Sequence, residues 1–234
     1  MANMAVGWAL APNVEGGKAP YEVQACLIPG SGKTKVTGGL SQVGNIVVAA
    51  VAEEYPCFIS LREPGAVSPP CTCCVDPLQL MMESMLVVVS YVRCQLPDIQ
   101  KLLKRPIVNK ASSSGVDIHI HGPLEGWKQH QYTLYGGVAG MAVIALAFGI
   151  CPPTDIGILG QVNGEGKLVQ LGRFSGAFLE ICAAQGFVKV VVGEGTSLTP
   201  ELEEVAKGVG VTLIPAASFI EALAIVFGHL TGDG

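Results

Sequence analysis

Charge is scarce in this sequence. Asp, Glu, Lys and Arg make up 14% of its 234 residues, and the formal net charge is −5. Without a basic excess there is little to neutralise a phosphate backbone, so broad nucleic-acid binding by charge is not expected. A long hydrophobic run is missing too. The nearest approach, Gly136 to Ile150, is too short and too glycine-rich at its start to span a bilayer. The first residues lack the basic-then-apolar pattern of a secretory signal, and Val6-Gly7-Trp8-Ala9-Leu10 reads as a first strand. The eight cysteines, at 26, 57, 71, 73, 74, 94, 151 and 182, are scattered. Cys57 and Cys71-Thr72-Cys73-Cys74 have neither spaced ligand pairs nor a nearby histidine, so no metal and no cofactor are expected there. Unbridged thiols point to an intracellular, reducing compartment, cytoplasm or nucleus ahead of an organelle.

What is abundant is apolar. Half of the residues are hydrophobic and 30 are glycine. One α/β domain over residues 1–234 is the simplest count, and so apolar a chain is expected to meet a protein partner or itself. Glu22 to Ile28 alternates as a strand and stops at Pro29-Gly30-Ser31-Gly32, and Lys35-Val36-Thr37 restarts extended structure. Gly30-Ser31-Gly32-Lys33-Thr34 invites a phosphate-loop reading. The first glycine of that pattern falls at Leu27, however, and Val36-Thr37-Gly38-Gly39 follows where a helix is required. A hairpin turn is the expectation instead.

The stretch from Gly44 to Leu80 breaks the pattern. Val47 to Ala52 suits a short helix or strand, and prolines from Pro56 to Pro77 then block regular structure. Helical periodicity returns over Leu78 to Cys94, with a shorter helix around Ile99 to Leu103 and a connector at Lys110 to Gly115. Val116 to His121 is a clear strand with His119 and His121 on one face. Two metal ligands would suit that placement, but no third ligand has diagnostic spacing, so polar packing is favoured. Pro123 to Tyr132 reads as loop. Asp155 to Val162 reads as one buried strand, followed by a turn at Asn163-Gly164-Glu165-Gly166 and a helix from Phe174 to Ala184. Val188 to Val192 has the β-branched run of a buried parallel strand. Thr199 and Pro200 mark the cap and first position of the next helix. Val209 to Ile214 is a last strand, and Phe219 to Phe227 a closing helix. Strands first and then alternating helix and strand imply a mixed sheet.

The chain turns on Tyr135-Gly136-Gly137-Val138-Ala139-Gly140-Met141, small residues feeding an apolar helix. A turn into a helix N-terminus is where many enzymes seat a nucleophile beside free N–H groups. Valine stands at that place.

The order of motifs resembles the proteolytic domain of Lon-type ATP-dependent proteases, which uses a Ser-Lys dyad. Gly7-Trp8-Ala9-Leu10 is similar to the family's opening. Pro29-Gly30-Ser31-Gly32-Lys33 followed by Thr37-Gly38-Gly39-Leu40 is similar to its glycine turn. Met81-Met82-Glu83-Ser84 and Asp117-Ile118-His119-Ile120-His121 resemble its Met-x-Glu-Ser and Asp-Ile-His-x-His. The resemblance implies a Lon proteolytic domain-like fold with mixed sheets (ribosomal protein S5 domain 2-like), running to the C-terminus and interrupted by residues 44–80. The family places no such segment there, and a surface insertion and a gene-model artefact explain it equally well.

Carried over residue by residue, the resemblance puts the nucleophilic serine at Val138, with Tyr135 at the preceding Asp. The general-base lysine falls at Ala177, or at Phe178 with a one-residue slip, and the supporting threonine at Leu159. No lysine lies between Lys167 and Lys189. A Ser-Lys dyad needs a hydroxyl within reach of an amine of lowered pKa, and these positions supply neither. Ser175 and Thr133 are the nearest hydroxyls for a relocated site, and neither has an evident base. A catalytically inactive, structural or protein-interaction module is therefore expected, and self-association as a hexameric ring is what the family implies. An active serine peptidase and a DNA-repair-associated module are the alternatives.

Overall fold

The computed structural model describes residues 5–12, 19–38, 77–109, 111, 115–122, 136–169, 175–196 and 198–231. The segment Val47 to Ala52, the prolines from Pro56 to Pro70, the loop Pro123 to Tyr132, and Thr133 and Tyr135 lie outside the described residues. Of the interruption at 44–80, residues 77–80 belong to a helix and the rest lies outside them too.

The protein is α/β with mixed sheets. A four-stranded sheet in the order β1-β2-β4-β3 is built from β1 (Val6–Ala11), β2 (Tyr21–Pro29), β3 (Thr34–Gly38) and β4 (Val116–Gly122). β1 and β4 each pair antiparallel with β2, and β3 pairs parallel with β4. The hairpin expected at Gly30 to Thr34 is therefore not there. β4 lies between β2 and β3, and the turn carries the chain across its end. Asp117 at the start of β4 explains why: its Oδ1 accepts from the backbone N–H groups of Ser31 and Lys33, both at 2.8 Å. Strands adjacent in sequence usually pair, and here a carboxylate from a distant strand holds the turn open across that strand's end.

Among the described residues the first helix, α1 (Pro77–Leu103), is one 27-residue element, not two, and it runs through Pro97. Proline lacks the N–H of the helical bond and crowds the preceding turn. Apolar spacing overrides that cost. Met85, Val88, Val89, Val92, Leu96, Ile99 and Leu103 recur at three- and four-residue steps and are all buried. The second helix, α2 (Gly136–Phe148), is buried along its whole length, as an all-apolar helix must be. It lies on β1 where Gly7 has no side chain; a Cβ there would strike the backbone of Ala142 and Leu146.

A second sheet follows, all parallel, in the order β5-β8-β9: β5 (Ile156–Leu159), β8 (Lys189–Gly193) and β9 (Thr212–Ala216). The expected single strand from Asp155 to Val162 is broken at Gly160, whose φ of +141° suits glycine. Beyond it β6 (Gln161–Val162) pairs with β7 (Leu168–Val169) as a small ribbon. The last strand sits later than expected, at 212–216, because Gly210 and Val211 close the preceding helix, with Val211 N–H on Ala206 O. The remaining helices are α3 (Gly176–Ala184), α4 (Pro200–Gly208) and α5 (Phe219–Thr231). Thr199 caps α4 as its sequence indicates, its hydroxyl accepting from Leu202 N–H at 3.3 Å. Ser218 Oγ accepts from Glu221 N–H while Glu221 Oε2 accepts from Ala217 N–H, a near capping box that starts α5.

Among the described residues the core falls in two parts. The larger lies between the four-stranded sheet, α1, α2 and α5. The smaller lies between the parallel sheet, α3 and α4. β8 serves both, sending Val191 to the first and Val190 and Val192 to the second, the alternation of a strand covered on both faces.

Candidate functional site

The first residues of α2 sit where the sequence suggested a nucleophile turn. The helix begins at Gly136 itself, so Gly136 and Gly137 are its first turn and do not precede it. Each small residue there faces a close neighbour. A Cβ on Gly136 would lie 2.5 Å from Ser84 Oγ, and one on Gly137 would lie 2.6 Å from Ile158 Cγ2. One on Gly140 would lie 2.5 Å from Phe219 Cζ and 2.8 Å from Val88 Cγ2. Gly137 N–H donates to Gly160 O at 3.1 Å. One of the helix-start donors that an oxyanion would use is thus spent on the end of β5.

Val138 is fully buried in the larger core part. Leu159 is almost fully buried in the smaller part, beside Phe178 of α3. Ala177 is exposed on α3 and faces away from that cluster. The fold brings the starts of α2 and β6 together through Gly137 and Gly160, and it sets Leu159 and Phe178 in one apolar group. Val138 and Ala177 differ in setting, the first fully buried and the second exposed. Ser175 is exposed and caps α3, its Oγ accepting from Phe178 N–H at 3.3 Å. Among the described residues only two polar or charged side chains are buried, Ser84 and Asp117, and neither is a base for Ser175.

Asp117 has a structural task. The Lys33 N–H, Lys35 and the Ser31 N–H hold its carboxyl down, to about 2, against the opposing effect of burial. Lys35 Nζ lies 3.2 Å from Asp117 Oδ2. Arg93 of α1 closes the same corner, giving Nε to Ala111 O, one terminal nitrogen to Gly32 O and the other to Val116 O. The false phosphate loop is thus a turn whose amides are committed to an internal carboxylate. Sequence reasoning passed over Arg93 altogether, and the only signal for it was a lone cation on the inner half of an apolar helix.

Ser84 Oγ is buried without a hydrogen-bond partner, against Gly136. His119 is half-buried and His121 exposed on the outer face of the sheet, and their rings meet edge to face with centroids 6.5 Å apart. Among the described residues no group of three His, Cys, Asp or Glu side chains converges on a metal position. Cys26, Cys94, Cys151 and Cys182 are unbridged. No helix among the described residues is long and apolar enough to cross a membrane. A groove of about 620 Å³ runs between α1 and the Gly164-Glu165 turn, floored by Leu86, Val87 and Tyr91.

Fold and site together define an α/β protein with a close-packed apolar centre at the start of α2. Neither a protein-family model nor a curated protein sequence matches the chain.

Proposed function

We propose that this chain is a catalytically inactive Lon protease-like domain that works as a structural or protein-interaction module. The observation that carries the reading is the burial of Val138 among apolar side chains, where the motif order calls for a nucleophile. Leu159 supports it, since an apolar residue packed at the place of a supporting hydroxyl leaves nothing to orient an amine. Loss of one member of a catalytic unit already removes most of its rate, and here the positions of the dyad and its support, Val138, Ala177 and Leu159, are all apolar. An apolar replacement also avoids the desolvation of a polar pair that has no reaction to serve. The partner is a protein surface, or other copies of this chain in a ring, in keeping with a sequence of which only 14% is charged.

The test is labelling of the purified chain with a fluorophosphonate probe, together with digestion of unfolded casein. The expected result is no label and no cleavage. Cleavage that disappears on substitution of Ser175 or Thr133 would overturn the reading in favour of a relocated peptidase site.

A further inference from the structure

The open face of the four-stranded sheet carries a cluster that the apolar centre does not use. β4 sets His119 and His121 two residues apart, about 6.6 Å along the strand, so both imidazoles rise from one face. Their ring planes cross at 81°. The register puts Cys26 of β2 opposite His119 and Gln24 opposite His121, with Lys35 of β3 on the other side of His119. Gln24 Nε2 donates to Glu22 Oε1 at 2.6 Å, which holds that carboxylate one pleat further along β2, on the His121 side. Lys35 leans the other way, onto Asp117. The local cation is thereby tied to one end of the row and the acid to the other.

We propose that His119 and His121 bind a divalent cation of the borderline class, Zn²⁺, as an open two-imidazole site whose remaining positions are filled by water. Imidazole nitrogen suits this class of ion. With zinc–nitrogen bonds of about 2.0–2.1 Å, two rings at a tetrahedral angle stand with centroids about 5 Å apart. On this proposal the exposed His121 turns its ring on binding, bringing the 6.5 Å between centroids down to that separation. A closed structural zinc site takes four protein ligands, whereas a two-imidazole site exchanges its ion and leaves positions open.

The experiment uses the full chain, stripped of metal and kept reduced, titrated with Zn²⁺ alone and followed by equilibrium dialysis and by imidazole nitrogen NMR. The cysteines elsewhere in the chain also take zinc, so the comparison is with H119Q/H121Q. The wild-type chain is expected to bind one more Zn²⁺ than the double variant, and each single variant to weaken that event by roughly tenfold or more. The His119 and His121 resonances are expected to shift with Zn²⁺ and to stay in place with Mg²⁺. Matching thermal melts of the metal-free variants would show the fold intact; if the double variant does not fold, the wild-type imidazole resonances decide alone. Equal zinc stoichiometry in a folded double variant, or imidazole resonances that do not move at saturation, would overturn the proposal.

Discussion

At the scale of single residues, Val138 and the glycines around it say the most. Their spacing in the sequence was legible as close packing around a helix start, and the apolar helix that follows was legible in its length. Which of two purposes the glycines serve was not legible, because a nucleophile turn and a tight helix crossing use the same small residues. The neighbours show the packing. Ile158, Val88 and Phe219 occupy the space that side chains at 137 and 140 would need, and all three come from distant parts of the chain. Gly140→Ala is therefore expected to destabilise by about 1–3 kcal/mol through overpacking, read as a lowered urea midpoint. Val138→Ser removes buried methyl surface and adds a hydroxyl in an apolar setting, at a cost of about 2–4 kcal/mol. It is also expected to restore no fluorophosphonate labelling, since Ala177, at the proposed place of the base, is an exposed alanine on α3. Labelling of Val138→Ser would mean that an activating base stands within reach of position 138.

At the scale of elements, strand and helix types were largely readable, and their partners were not. β8 announces itself by Val190-Val191-Val192, and α4 by Thr199 and Pro200, because those signals are local. The placement of β4 between β2 and β3 depends on Asp117 reaching the amides of Ser31 and Lys33, a contact across more than eighty residues. Nothing in Gly30 to Thr34 itself records it. α1 errs the other way: Pro97 is a strong local stop, and the apolar stripe on both sides of it wins. Because Pro97 is exposed inside the helix, Pro97→Ala is expected to stabilise the protein by about 1–3 kcal/mol, seen as a raised thermal midpoint. An unchanged or lowered midpoint would mean that the proline fixes the course of the helix toward Leu103.

At the scale of the whole molecule, the mixed α/β class followed from the order of strands and helices, whereas the division of the core into two parts did not. The larger part gathers residues from Ala9 to Phe227, the smaller takes its buried residues from Leu159 to Val211, and β8 joins them because both of its faces are covered. Such a molecule should lose stability in acid in two separate stages. His119 is the first. Its imidazole is harder to protonate in the fold than in the unfolded chain, so as the pH drops below about 6.5 the unfolded state takes up the proton first and stability falls. Asp117 is the second. Its carboxyl titrates at about 2 in the fold and at 3.8 without it. Its contribution is therefore complete above about pH 4 and is lost as the pH falls toward 2. Urea unfolding measured from pH 8 to pH 2 is expected to show both declines. His119→Gln should flatten the upper one alone. Asp117→Asn should lower stability at neutral pH, because the Ser31 and Lys33 amides lose a charged acceptor, and should shrink the lower decline. It should not abolish that decline, since Glu165 and Glu201 are also held below the usual carboxylate range, Glu165 by Lys167 and Glu201 by hydrogen bonds at the start of α4. A profile in which Asp117→Asn leaves the lower decline untouched would remove Asp117 from its place as the clamp on the turn.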